Sequence, residues 1–233
     1  EKNGDVMQYL PLEKSEVLRY LGYRRKQELT PDISALVDEM ILEVQNVSNA
    51  RYLYQAYDFT LDEANHAIHL TNTDLVLQSK QLYSHLKNAK QVVLLAATLG
   101  IEVERQVRLY ELSEMTKAFV LDAACVDYIE KICDLAEVDI DTQFTDSILN
   151  RRFSPGYGDL SLEVQPQFLK TLGADRQLGL TLTENYLMIP RKSVTAILGL
   201  FEDDKLARPS RKPPQNLTMD MVRNGDFNVS GLT

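Results

Sequence analysis

Several things are scarce in this sequence, and each scarcity excludes something. The longest uninterrupted apolar run, Val92 to Ala97, falls far short of the roughly 20 residues that a membrane-spanning helix needs. No basic segment followed by an apolar one opens the chain, so no secretory leader is expected there. The first residue is Glu1 rather than Met, which suggests a processed or trimmed N-terminus. Positive charge is in deficit: Lys+Arg 25 stand against Asp+Glu 34, a net charge of −9 with a pI near 4.9. A phosphate backbone requires a concentrated basic face, so nucleic acid is not an expected partner. There are two cysteines, Cys125 and Cys133, and three histidines, His66, His69 and His85. Neither set has zinc-site spacing, and two cysteines make no disulfide framework. On a strand, His66 and His69 would point to opposite sides. A reduced, soluble, cytoplasmic protein without a metal is the expectation.

Chemistry-bearing signatures are missing as well. There is no Walker-type phosphate loop and no Gly-x-Gly-x-x-Gly turn. Ser79, Ser193 and the histidines fall in no nucleophile-elbow or triad spacing. Without a catalytic set, the chain reads as a binder more than as a hydrolase.

What is present is an ordinary globular composition, 44% apolar and 25% charged over 233 residues. That length allows one or two domains and a real core. Residues 12–47 read as helical. A short helix ends around Leu18, Leu21 and Gly22. Thr30-Pro31 then marks a cap with proline at the first helical position, followed by Ile33, Leu36, Val37, Met40, Ile41, Val44 and Val47 at helical spacing. Arg51 to Tyr57 is aromatic and β-prone. Short strands are expected at 67–70 and 75–77, a helix starting at Ser79, and a buried strand from Val92 to Leu99. Helices follow at 101–112 and about 117–135, with Cys125 packed as a small apolar residue. Glu102, Glu104, Arg105 and Arg108 read as a solvated, mutually paired helix face. A further helix is expected from about Val164 to Leu172, closed by Gly173. Strands are expected at 180–188 and 193–201. Residues 1–202 are read as one α+β domain. Residues 203–233 are read as a tail, extended or dependent on a partner.

The segment Arg152-Phe153-Ser154-Pro155-Gly156-Tyr157-Gly158-Asp159 carries the most information. An arginine can grip a carboxylate through two parallel hydrogen bonds. Gly156 and Gly158 allow close approach of the main chain to a ligand, and Tyr157 offers an aromatic wall. An amino-acid-like ligand with an attached ring would need that combination. On composition alone the segment reads first as a tight surface turn with a solvated arginine, because Gly/Pro clusters mark turns before they mark sites.

The run from Arg152 to Gly199 resembles the activation domain of cobalamin-dependent methionine synthase. Two motifs carry the resemblance. One is Arg-x-x-x-Gly-Tyr, here Arg152 to Tyr157. The other is Leu182-Thr183-Glu184 through Met188, Pro190, Ser193 and Val194. Glu16 to Tyr23, Ser79-Lys80 to His85-Leu86, and Ala96 to Gly100 are similar to the stand-alone bacterial form. The resemblance implies a curved antiparallel sheet flanked by helices, with S-adenosylmethionine bound in a shallow groove. It implies Arg152 on the methionine carboxylate, main-chain contacts from Ser154 and Gly156, Tyr157 in the wall, and Glu130 near the amino end of the ligand. It further implies a reactivation subunit, an accessory component more than an enzyme in its own right. Such a subunit would act in trans on a cobalamin-binding methionine synthase subunit, with a flavodoxin- or ferredoxin-type reductant. The cysteine cluster that often ends stand-alone members is replaced here by Asn216-Leu217-Thr218-Met219-Asp220-Met221. A non-catalytic small-ligand or regulatory module on the same scaffold is the alternative.

Overall fold

Three apolar strands organise the chain. The computed structural model describes residues 10–24, 27–203, 205–207 and 229–232; the Asn216–Met221 stretch lies outside them. In chain order the elements are α1 (Lys14–Tyr20), α2 (Pro31–Val47), β1 (Ala50–Tyr57), β2 (Phe59–Asp62), β3 (Ala67–Leu70), β4 (Val76–Gln78), α3 (Lys80–Leu86) and β5 (Gln91–Thr98). Then come α4 (Ile101–Ser113), α5 (Met115–Gln143), β6 (Ile148–Leu149), α6 (Gln165–Leu172), α7 (Ala174–Gln177), β7 (Thr181–Leu182), β8 (Met188–Ile189), β9 (Ser193–Phe201) and β10 (Val229–Leu232). The main sheet has the order β10-β1-β5-β9-β6. It is antiparallel except where β10 lies parallel to β1, with Ala50 opposite Val229.

β5 is apolar without interruption because both of its faces are covered, the circumstance in which alternation disappears from a strand. Val93, Leu95 and Ala97 pack with α2 and α5, while Val92, Leu94 and Ala96 pack with β3, β4, α3 and α6. The neighbouring strands divide in the same way: Tyr52 and Tyr54 join the first core, and Leu53 and Tyr57 the second. The sheet is thus a curled antiparallel layer between helices, an α+β fold.

Local signals place the helices. Thr30 accepts from the Ile33 N–H and Pro31 is the first residue of α2. Ser79 accepts from the Leu82 N–H to start α3. Gly173 closes α6 in the left-handed conformation, φ +75°. Cys125 is fully buried, and burial pushes its thiol up to about 12, so it packs and does not react.

Two expectations need correction. Residues 180–188 are not one strand. Thr181–Leu182 and Met188–Ile189 pair as a two-stranded hairpin, turned by Thr183, whose hydroxyl accepts from the Leu187 N–H at 3.1 Å. The polar Glu184 and Asn185 between the apolar ends make the turn. The long helix also does not stop near Leu135; α5 continues to Gln143. Its acidic second half has partners: the Tyr52 hydroxyl donates to Asp139 at 2.9 Å, and Glu137 meets Arg152.

One buried acid on α5 has a measurable consequence. Asp127 is 3% exposed and accepts from the Glu13 N–H at 3.3 Å. Burial pushes its carboxyl up to about 6 from the ordinary 3.8, although Lys131 pulls the other way. A raised acid favours the folded state when protonated, and that contribution is lost as pH rises through about 6. Asp127→Asn should therefore raise stability by about 1–2 kcal/mol at neutral pH, and by nothing below the ordinary carboxylate range. Urea unfolding at both pH values checks this; an equal gap at both would refute it.

Candidate ligand-binding site

The site grows from an incomplete edge of the sheet. β6 pairs with β9 only through Ile148–Phe201 and Leu149–Leu200. The chain then leaves and returns at Phe153, which exchanges two main-chain bonds with Ile197, at 2.9 and 2.8 Å. Between them Asn150, fully buried, works as a clamp. Its Oδ1 accepts from the Gly199 N–H at 2.7 Å, and its Nδ2 donates to the His85 carbonyl at 3.2 Å. No side chain fits at Gly199: a Cβ there would lie 2.7 Å from the Phe201 ring and 3.1 Å from Ala89 Cβ. Arg151 and Arg152 are thereby fixed between two points on β9.

Phe153 packs into the second core, and Arg152 reaches the opposite way, to α5. Its guanidinium is 20% exposed and meets three carboxylates: Glu130 at 2.9 Å, Asp134 at 3.4 Å and Glu137 at 3.2 Å. The positions 130, 134 and 137 share one helix face. The solvated arginine expected from composition is not found; this one is held on three sides. Its Nη1 is buried without a hydrogen-bond partner, a donor left over in an otherwise occupied fork. Burial raises the Asp134 carboxyl, and Arg152 offsets part of that.

The rest of the loop folds on itself. The Gly156 N–H donates to the Leu160 carbonyl at 2.8 Å, and the Tyr157 N–H to the Ser154 carbonyl at 3.0 Å. Gly156 has φ +85°, and a Cβ there would come 2.9 Å from Leu162. The room left by this glycine, which the sequence reading assigned to a ligand, is taken by Leu162; the Gly156 N–H is committed as well. Gly158 likewise makes room for Gln81. Tyr157 remains 66% exposed and stands edge-on to Phe153, ring centres 5.3 Å apart. Asp159 ties the loop to α3: its carboxylate accepts from the Ser79 hydroxyl, from the Lys80 N–H at 2.8 Å and from the Gln81 N–H at 3.3 Å. The Ser79 hydroxyl, with those N–H groups, holds the Asp159 carboxyl below its usual range.

The loop therefore has two unlike flanks. Towards α5 lie Glu130, Asp134 and Glu137. Towards α3 lies an open groove of about 480 Å³ lined by Lys80, Gln81, Ser84, His85, Arg151, Arg152, Phe153 and Tyr157. Of the residues expected from sequence, Arg152 and Glu130 are in direct contact, and Ser154, Gly156 and Tyr157 follow on the same loop. Sequence reasoning missed Asp134, Glu137, Asn150 and Asp159. The helical spacing of Glu130, Asp134 and Glu137 was a usable signal for the first two. Among the described residues no group of three or more His, Cys, Asp or Glu side chains is placed to hold a metal. No described helix is long and apolar enough to cross a membrane.

Sheet, helices and edge loop together define an α+β domain built on a curled antiparallel sheet. Among the solved structures with this fold is a crystal structure of the MetH reactivation domain bound to AdoHcy, with a TM-score of 0.60 over 96% of this chain and 89% of that one. Sequence identity is 13%, so the likeness establishes the fold. No protein-family model matches the chain, and no curated protein matches it in sequence.

Proposed function

We propose that this chain binds S-adenosylmethionine at the Arg152 loop and serves as the reactivation component of a cobalamin-dependent methionine synthase. The observation that carries the reading is the junction of loop and α5. A carboxylate-gripping arginine with one unpartnered donor, Nη1, lies beside carboxylates suited to a ligand's ammonium and sulfonium charges. Arg152 would take the carboxylate, Glu130 the amino end, and Tyr157 would cover the ligand. The neighbour's bound AdoHcy is consistent with that assignment. The cobalamin, carried by a partner subunit, would supply the methyl-accepting centre after reduction by a flavodoxin- or ferredoxin-type protein. The residues of this chain hold and orient the methyl donor.

A second reading is a non-catalytic small-ligand or regulatory module. It is favoured by the three carboxylates that already neutralise Arg152. Calorimetry with S-adenosylmethionine should show binding. Arg152→Lys, which keeps the charge but not the fork, should weaken it by about 1.5–3 kcal/mol. Absence of heat at millimolar ligand would sink the proposal. Rescue of an inactivated synthase by this chain with cobalamin and a reductant would eliminate the second reading.

A further inference from the structure

The second sequence motif, Leu182-Thr183-Glu184 through Met188, Pro190 and Ser193, has no role in that reading. It forms the β7–β8 hairpin and its exit into β9. Between this hairpin and α4 lies an open hollow of about 770 Å³. From α4 it is lined by Ile101, Glu104, Arg105 and Arg108, the i, i+3, i+4 and i+7 positions of one helix face. From the hairpin side it is lined by Leu187, Met188, Ile189 and Arg191, among others. Its walls are tied to each other. The Arg191 N–H donates to Glu104 Oε2 at 3.1 Å, and the Leu99 N–H, just before α4, donates to the Lys192 carbonyl at 3.0 Å. The Ser193 hydroxyl fixes the hairpin exit by donating to the Pro190 carbonyl at 2.7 Å.

The two walls differ in character. The hairpin wall is aliphatic, and it continues onto the start of α4. Ile101, Leu187 and Ile189 are 38, 57 and 37% exposed, so three large apolar side chains around one hollow are left to water. Covering them would be favourable. The α4 wall carries charge. Three arginines and one carboxylate line the hollow, in a chain of net charge −9. The carboxylate is committed: Glu104 is 16% exposed and accepts from the Arg191 N–H. Arg105 pairs with Glu102, outside the lining. Arg108 reaches Glu104 only at 3.9 Å and is itself 74% exposed, which leaves guanidinium donors for another acceptor. An aliphatic wall beside arginine donors suits a ligand with an apolar body and one carboxylate. A volume near 770 Å³ is within the range of small-molecule sites.

We infer that this hollow binds a free aliphatic carboxylate, whose chain lies on Ile101, Leu187 and Ile189 and whose carboxylate is held by Arg108 and Arg191. Its lining includes none of Arg152, Ser154, Gly156, Tyr157 and Glu130, and the inference does not depend on the assignment made for them.

Calorimetric titration with decanoate, decylamine and acetate tests it. Decanoate should bind. Decylamine has the same chain with the opposite charge, and acetate has the charge without the chain; each should bind at least about tenfold more weakly. Arg108, Arg191 and Leu187 are exposed, so their substitution should leave the fold intact. Arg108→Ala, Arg191→Ala and Leu187→Ser should each weaken decanoate by about tenfold and leave S-adenosylmethionine binding unchanged. Lys87→Ala, outside the hollow, should change neither. Sedimentation with phosphatidylglycerol vesicles should leave the protein in solution; co-sedimentation lost in the same three variants would replace the free ligand by a lipid surface. Equal binding of decanoate and decylamine, decanoate binding that survives all three substitutions, or no decanoate heat at all would overturn the inference. Loss of decanoate binding with S-adenosylmethionine binding intact would sink this site alone; failure of S-adenosylmethionine to bind would count only against the Arg152 reading.

Discussion

Arg152→Ala should destabilise the fold by about 3–5 kcal/mol at neutral pH, in addition to abolishing the ligand binding proposed for it. The guanidinium is the shared counter-charge of Glu130, Asp134 and Glu137, and Glu137 is 7% exposed. Truncation leaves these carboxylates crowded without their common counter-charge, and at the buried Glu137 water screens the charge poorly. The deficit should also depend on pH. The Asp134 carboxyl already lies above its ordinary value through burial, held down in part by Arg152; without the arginine it rises further. A folded-state pKa above the unfolded one favours folding only when the group is protonated. The deficit should therefore be largest at neutral pH and shrink as pH falls through the acid range. Denaturant melts across that range provide the measurement. A deficit that does not change with pH would mean lost packing, not stranded charge.

The second large effect is expected at Asn150, which touches no candidate ligand. Asn150→Ala strands the Gly199 N–H, which has no other acceptor and lies in the sheet interior. A buried donor left without a partner costs about 1–3 kcal/mol. The substitution also releases the His85 carbonyl, one of several ties between α3 and the loop. Urea melts should show the loss of stability. Hydrogen exchange should show faster opening at residues 150–157 than in β1 or β5. Asn150→Asp keeps the acceptor for Gly199 and should recover part of the loss. Equal exchange across the sheet would separate Asn150 from the loop.

Much of the fold was legible because its signals are local. Thr30-Pro31, Ser79 and Gly173 each stop or start a helix through atoms within a few residues of themselves. Val92 to Ala97 announced a strand buried on both sides. Where the reading failed, the deciding partner was distant in sequence. Nothing near Glu137 or Asp139 says that Arg152 and Tyr52 will receive them, so α5 was ended too early. The apolar ends of 180–189 concealed a turn held by one threonine hydroxyl. The loop from Arg152 to Tyr157 stood out in the sequence, but its inner bonding was not visible. Gly156 was read as room for a ligand; the room belongs to Leu162, which lies six positions further on. The acids around Arg152 were within reach through helix phase. The clamp at Asn150 was not, because it depends on which strand receives the returning chain.

The parallel pairing of β10 with β1 bears on how the protein can be handled. An outer strand without a neighbour offers its row of N–H and C=O groups to any passing chain. Residues 229–232 occupy that row along Ala50 to Leu53. Preparations shortened before Val229 would expose a sticky rim, and their self-association would reflect the missing cover and not the site at the other side of the sheet.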